Sequence, residues 1–244
     1  MRTLLSERYA PITSKIGFLE SSLEEASRAT VRWRRSLAEE VAARSVDGEL
    51  SDVLPLLEPL SAGARPRELL VSVGAWTAYF DNSLRGTDAV SAISHLSRDL
   101  RCTGVAVASV PHQLGQAGVV NGRMGSVQFE MFGPIETSFL NYVRTLSTSF
   151  DGRRWRFDAT GTEQTFEETA TYDNRRVRDR FTSAMLERYC QSLGIDVFKP
   201  SAYGPSGVLI ESPVSLPSNG NVMSLLEAQA WLEIVPGAAD DIEL

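Results

Sequence analysis

Apolar positions near the start of the chain recur at helical spacing. Between residues 14 and 46 they follow one another in steps of three or four, close to a heptad repeat, and charged residues occupy the positions between them. The positions are Ile16, Leu19, Leu23, Ala26, Thr30, Trp33, Leu37 and Val41. This spacing predicts one long N-terminal helix, which either packs on its own domain or pairs with a second subunit or another protein.

After this stretch the pattern becomes extended. Residues 69–80 are rich in β-branched and aromatic side chains, which predicts a strand. A helix follows with Thr87 or Asp88 as its N-cap, and the continuously apolar stretch Gly104–Val110 then predicts a strand covered on both faces. Strand, helix and buried strand in this order predict a βαβ unit with two parallel strands.

The next part of the chain predicts antiparallel strands, and residues 154–158 alternate between apolar and charged positions, which is typical of a strand with one solvated face. Asp151-Gly152 predicts a type I′ hairpin at its centre. The candidate strands cover residues 127–132, 142–150, 153–158 and 164–168. Together they predict a β-meander whose outer face is polar.

Capping signals mark two later helices. Thr182 precedes an amphipathic stretch over residues 183–193, which predicts a helix that begins directly after this threonine. Ser224 and Glu227 have the spacing of a capping box, which predicts a short helix that runs through Trp231.

These elements predict an α+β fold. A mixed, mostly antiparallel sheet, made of the βαβ unit followed by the β-meander, is expected to pack against helices and to follow the long N-terminal helix. Residues 1–62 are expected to form an N-terminal helical extension and residues 67–215 the α+β core domain. Residues 216–244 are expected to form a C-terminal helix and an acidic tail.

Charge and composition limit the cellular compartments and the classes of partner that we expect for this chain. The chain of 244 residues carries 31 acidic and 24 basic side chains, a formal net charge of -7, which disfavours binding to nucleic-acid phosphates. It contains two cysteines and no apolar stretch of signal-peptide or membrane-span length. We therefore expect a cytoplasmic protein with no nucleic-acid and no membrane partner. Only Lys15 and Lys199 are lysines, and this arginine bias is typical of a GC-rich bacterial genome.

The common catalytic signatures do not occur in the sequence. It has no G-x-x-x-x-G-K-[ST] phosphate loop, no G-x-G-x-x-G after a strand and no G-x-S-x-G nucleophile elbow. Two cysteines and two histidines, without C-x-x-C or H-E-x-x-H spacing, predict no structural metal site. The sequence leaves open whether the chain is an enzyme, and the missing signatures favour a non-enzymatic protein.

One constellation supports a candidate catalytic site. If the strands on either side of the Asp88 helix are parallel, the loops after them emerge at the same sheet edge, where open α/β sheets place ligands. Asp81, Asp88 and His112 would then hold a divalent cation or act as acid and base. Arg85 would stabilise developing negative charge. Turn and N-cap roles explain the same residues without any catalysis.

Other residues are candidates for binding. Trp76 and Tyr79 from the predicted strand, with Asn82 and Gln113 from the two loops, are expected to line a pocket beside the glycine-rich loop over residues 111–125. Separately, a basic run over residues 175–180 that includes Arg178 is a candidate patch for an anion or a partner in this acidic protein.

Three functions remain open. The first is a non-enzymatic bacterial protein-binding module, such as a regulator, an assembly factor or an immunity-type protein, which binds another protein or associates with itself through the N-terminal helix. The second is a metal- or carboxylate-dependent hydrolase with its site at the 81–88 loop. The third is a small-molecule sensor. The acidic charge, the helical seam and the missing signatures favour the first.

Overall fold

The computed structural model describes residues 1–37, 40–63, 66–113, 123–135, 140–212 and 222–234. Within these residues the α-helices are α1 (Leu23–Arg35), α2 (Leu50–Val53), α3 (Ala89–Leu100), α4 (Ser183–Ser192) and α5 (Leu225–Trp231). The strands are β1 (Lys15–Leu19), β2 (Ala42–Asp47), β3 (Leu60–Ser61), β4 (Arg67–Val73), β5 (Trp76–Asp81), β6 (Gly104–Val110), β7 (Ser126–Phe132), β8 (Tyr142–Phe150), β9 (Trp155–Gly161), β10 (Ser206–Glu211) and β11 (Val222–Met223).

Nine of the strands form one antiparallel sheet in the order β2-β10-β4-β5-β1-β6-β7-β8-β9, and β3 pairs separately with β11. The helices pack on this sheet, so the predicted α+β class is confirmed. None of the described helices combines the length and the apolar composition needed to cross a membrane. Most of the glycine-rich loop and the acidic tail, over which predictions were made, lie outside the described residues.

The N-terminal helix is shorter than predicted. It covers Leu23–Arg35 and begins at Ser22, whose hydroxyl accepts a hydrogen bond from the backbone amide of Glu25. The stretches on either side of it are the strands β1 and β2, which belong to the large sheet. Strand β1 escaped prediction because both of its faces are buried, so its residues show no alternation of apolar and polar positions.

The predicted strand over residues 69–80 is a hairpin of two strands, β4 and β5. Val73 pairs with Trp76 across a tight turn in which Gly74 has a φ of 58°, a conformation that glycine adopts without strain. Because β4 and β5 are buried on both faces, the apolar run continues through the turn and conceals it.

Strand β1 lies between β5 and β6 and is antiparallel to both. Strands β5 and β6 are therefore parallel to each other, as predicted, although they are not neighbours. Gly17 of β1 pairs with Tyr79 on one side and with Ala106 on the other. The carboxyl ends of β5 and β6 lie at the same sheet edge, together with the beginning of β1.

The meander forms from β7, β8 and β9, close to the predicted bounds. Its hairpin is wider than a type I′ turn, since Phe150 pairs with Trp155 across a four-residue loop. The Asp151 carboxylate shapes this loop by accepting hydrogen bonds from the backbone amides of Arg153 and Arg154, each at 2.9 Å. Residues 164–168, predicted as a further strand, form a turn instead.

The two later helices agree with their capping signals. The hydroxyl of Thr182 accepts a hydrogen bond from the amide of Met185 at the beginning of α4. Ser224 and Glu227 form a reciprocal capping box at the beginning of α5, which ends at Trp231 as predicted.

Each face of the sheet has its own apolar core. Helices α1 and α3 cover one face, with Ala29 and Ile93 among the fully buried residues. The other face packs against α4 and α5 and contains Phe18, Phe80 and Leu186. A ligand that binds on one face of the sheet therefore meets different residues from a ligand that binds on the other face.

Helix α3 approaches the sheet most closely at Ile93. A Cβ atom added at Gly17 of β1 would lie 2.5 Å from Cγ1 of Ile93, and one added at Gly104 of β6 would lie 2.6 Å from its Cγ2. Both distances are shorter than any tolerable carbon contact. The two glycines therefore let one isoleucine rest on β1 and β6 together.

We predict that Gly17→Ala lowers the free energy of unfolding by about 1–3 kcal/mol, because the new methyl group overpacks the contact with Ile93. In an Ile93→Ala background the same substitution should cost less, since the colliding atoms are gone. Urea denaturation of the wild type, the two single variants and the double variant measures this coupling. Gly63→Ala is the control, because a Cβ atom there meets nothing within 4 Å. If Gly17→Ala lowers the free energy of unfolding equally in the wild-type and Ile93→Ala backgrounds, the contact is refuted.

Candidate functional site

The predicted catalytic carboxylate Asp81 lies at the end of β5 and is buried. Its Oδ1 accepts a hydrogen bond from the amide of Ser83 at 2.9 Å, and its Oδ2 accepts one from the amide of Asp88 at 3.1 Å. These contacts close the loop between β5 and α3. The carboxylate is thus a loop organiser, and its oxygens point toward the backbone of its own loop.

Asp88 and Arg85 line an open cleft of about 410 Å³ at the predicted sheet edge. Lys15 lines the same cleft, and its Nζ lies 3.0 Å from a carboxylate oxygen of Glu130. The guanidinium of Arg85 lies 5.5 Å from the ring centroid of Trp231 on α5. Asp88 occupies the N-cap position of α3, but its side chain makes no capping hydrogen bond there.

His112 lies in a different cleft, on the other side of the sheet. The cleft at Asp88 is lined by Lys15 and Ala108, which pair across β1 and β6 on the face that α3 covers. His112 instead lines a cleft beside Ser183, where α4 begins on the opposite face. The structure therefore confirms a shared edge but does not bring His112 to the two aspartates.

A metal centre finds no support in this arrangement. Within residues 1–37, 40–63, 66–113, 123–135, 140–212 and 222–234, no group of three or more His, Cys, Asp or Glu side chains is placed to hold a metal ion. The hypothesis of a divalent cation at the 81–88 loop thus has no ligand set among the described residues.

Three predicted binding residues are buried and hold the fold together. Nε1 of Trp76 donates a hydrogen bond to the carbonyl of Leu193 at 3.0 Å. Nδ2 of Asn82 donates one to the carbonyl of Pro59 at 2.9 Å. The hydroxyl of Tyr79 donates one to a buried carboxylate, and this ring belongs to the core on the face opposite to Trp76.

Gln113 contributes to a buried ion pair that the sequence pattern did not indicate. Its Oε1 accepts a hydrogen bond at 2.5 Å from Nη2 of Arg123, whose guanidinium pairs with Glu7 at 2.7 Å. Both charged side chains are almost fully buried. A second pair, Arg144 with Glu167, is buried to the same degree. The partners lie far apart along the chain, so no local spacing indicated them.

A third ion pair fixes α1 on the sheet. Arg34 donates two hydrogen bonds to the buried carboxylate of Glu68 on β4, at 2.6 and 2.7 Å. Burial opposes the charged guanidinium, but the hydrogen bond and the charge of Glu68 outweigh it and raise the pKa of Arg34. Burial, and next the charge of Glu68, raise the pKa of Tyr79 well above its usual range.

The neighbouring ring contact supports the same placement of α1. Trp33 stacks on His95 of α3, with centroids 4.5 Å apart and planes 22° apart. Burial, followed by the charge of Arg98, lowers the pKa of His95, which keeps the stacked imidazole neutral near neutral pH. Because α1 is held in this way, its other side faces solvent.

A groove of about 470 Å³ runs between the exposed side of α1 and strand β2. We call this region the α1–β2 surface. Its lining residues are Ser27, Arg28, Val31, Arg32, Arg35 and Ala43. Strand β2 ends the sheet, and five of its six residues are exposed. The surface therefore combines a small apolar floor, an arginine rim and an open strand edge.

The structure places two of the predicted residues, His112 and Arg178, at the same cleft. They line it together with Trp155, and the guanidinium carbon of Arg178 lies 5.6 Å from a ring centroid of Trp155.

Comparison with known proteins adds no assignment to these sites: no family model matches the chain, and no curated protein or solved structure is significantly similar to it.

We predict that Asp81→Ala lowers the free energy of unfolding by about 1–3 kcal/mol, because two buried amides lose their acceptor. Asp81→Asn should cost less than Asp81→Ala, since its one remaining oxygen still accepts one of the two hydrogen bonds. Chemical denaturation followed by circular dichroism measures both. An unchanged midpoint for Asp81→Ala would contradict the role of this carboxylate as a loop organiser.

Proposed function

We propose that the chain is a non-enzymatic protein-binding module, of the regulator, assembly-factor or immunity type, that binds its partner through the α1–β2 surface. The observation that carries the proposal is the open edge of β2 beside an arginine-lined groove. The partner is proposed to be another protein that presents an extended acidic segment.

The edge of β2 supports a strand-addition mode. On one side β2 pairs with β10, and on its other side no strand of the described residues pairs with it. Exposed strand edges are templates for pairing, and proteins normally shield them. An extended partner segment that adds to β2 would satisfy its backbone groups and place side chains in the neighbouring groove.

The opposite edge of the sheet is less suited to the same mode. Strand β9 is in contact with the turn at Val177–Asp179. It also carries a charged pair at its own hairpin, between Arg156 and Asp151. Among the described elements, β2 is therefore the more accessible edge.

Charge supports an acidic partner. The groove is lined by three arginines and by no acidic residue, in a chain whose net charge is -7. Arg28 pairs with Glu24 at 3.4 Å and Arg32 pairs with Asp99, whereas Arg35 forms no ion pair with a described residue. Since two of the three arginines are already paired with carboxylates, the charge of Arg35 is the one that steers acidic segments toward this surface and raises the association rate.

The same charges disfavour self-association. A symmetric dimer through this surface would use the same patch on both copies, so the arginines of one copy would face those of the other. Such like-charge contacts are costly at an interface. A different protein is therefore the proposed partner.

A hydrolase is the weaker alternative. The carboxylate of Asp81 is engaged by backbone amides, and His112 lies on the other side of the sheet. General acid–base catalysis needs these groups within hydrogen-bonding reach of one reacting centre.

We further propose that the protein works in the cytoplasm of a bacterial cell. Cys102 and Cys190 are both free thiols, which suits a reducing compartment. Burial, and next the charge of Glu20, raise the pKa of Cys102 to about 11, so this thiol stays protonated and unreactive near neutral pH.

We predict that the double substitution Arg35→Glu and Ala43→Glu reduces partner capture from host lysate by at least about tenfold, because it places negative charge on the rim and edge. Affinity purification with quantitative mass spectrometry measures the capture. The matched control is Arg153→Glu with Ala159→Glu, the same change in charge at the β9 edge.

Capture of one dominant protein by the wild type and the control, with cross-links from β2 to an acidic segment, is the expected result. Equal capture by both double variants would contradict the α1–β2 surface. The absence of any stoichiometric partner would contradict the binding-module proposal itself.

A further inference from the structure

A second cleft, of about 430 Å³, lies on the α4 side of the sheet and takes no part in the proposed protein binding. We call it the Trp155 cleft. It is lined by Pro111, His112, Trp155, Arg176, Arg178 and Thr182, with Asp179 among the remaining lining residues. Its volume is in the range of sites for small organic molecules.

The charges of the cleft are unbalanced. Arg176 and Arg178 form no ion pair with any described residue. Asp179 is the single carboxylate among the residues that line the cleft. Among the side chains that line the cleft, two guanidinium groups against one carboxylate leave one uncompensated positive charge, which suits an anion with a single negative charge.

The walls of the cleft are aromatic. The ring centroids of His112 and Trp155 lie 5.3 Å apart, and the ring centroid of Phe150 lies 4.4 Å from that of His112. The guanidinium of Arg178 lies over Trp155. The rings of His112 and Trp155, inclined at 66° to each other, offer aromatic surface on which a planar group packs, and the guanidinium of Arg178 is close enough to reach a carboxylate on that group.

The imidazole of His112 is held in a defined orientation. Its Nδ1 accepts a hydrogen bond from the backbone amide of Gly125 at 3.2 Å. A Cβ atom at Gly125 would lie 2.6 Å from both the His112 Cβ and the Trp155 ring. The backbone of this glycine therefore packs closely against both residues and holds their rings in position.

We propose that the Trp155 cleft binds a small aromatic carboxylic acid. The carboxylate pairs with Arg176 and Arg178, and the planar ring packs against Trp155 and His112. The chain would then be a binding module that also responds to a small molecule. This proposal does not depend on the identity of the protein partner.

Benzoate is the probe, and isothermal titration calorimetry of the full chain is the measurement. We expect a dissociation constant of about 1 mM or below. Acetate has the carboxylate without the ring, and benzyl alcohol has the ring without the charge, so each should bind at least about tenfold more weakly than benzoate. Phenyl phosphate carries a second negative charge and should also bind more weakly.

Variants test the assignment of the residues. Arg176→Ala with Arg178→Ala should weaken benzoate binding by at least about tenfold, since each lost guanidinium removes charge-assisted hydrogen bonds. Arg175→Ala is the matched control, because Arg175 belongs to the same basic run but does not line the cleft. Both variants should melt at the temperature of the wild type.

Several results would overturn the proposal. One is the absence of benzoate binding to the wild type. Others are equal losses in the Arg175→Ala variant and in the double variant, or tighter binding of acetate or phenyl phosphate than of benzoate. The Arg35→Glu, Ala43→Glu variant should bind benzoate like the wild type, so a failure of this proposal is distinguishable from a failure of the proposed function.

Discussion

Ile93 of α3 packs against Gly17 of β1 and Gly104 of β6 so closely that a Cβ atom at either glycine would overlap it. Through this contact α3 packs directly on the two strands, and β1 lies between β5 and β6. With β1 in that place, β5 and β6 run parallel and end at one edge. The 81–88 loop, the beginning of α3 and the cleft at Asp88 all take their positions from this arrangement.

Buried ion pairs fix the surfaces that surround this centre. The pair between Arg34 and Glu68 turns one side of α1 toward β4, which leaves the arginine rim on the other side in solvent. The pair between Arg123 and Glu7 ties the segment before β7 to the N-terminal residues. A buried charge that loses its partner is strongly destabilising, so arrangements that would break these pairs are disfavoured. The two clefts and the α1–β2 surface therefore lie on a well-defined frame.

Local signals predicted much of the fold. The capping residues Thr182 and Ser224 mark helix beginnings through hydrogen bonds that involve only nearby residues, and alternation identifies the beginning of β9, where Trp155 and Phe157 are half-buried between exposed charged residues. Strand β1 and the β4–β5 turn could not be found in this way, since full burial removes the alternation. For the candidate site, the parallel relation of β5 and β6 was predictable, but the placement of His112 on the opposite face depends on long-range pairing.

Hydrogen exchange with mass spectrometry tests most directly whether the N-terminal residues belong to the centre of the sheet. If β1 is an integral central strand, its amides should exchange as slowly as those of β6, through global unfolding alone. The Gly17→Ala variant should speed the exchange of both strands together. Fast exchange of residues 15–19 while β6 remains protected would show that the N-terminal part opens by itself, and it would contradict this account.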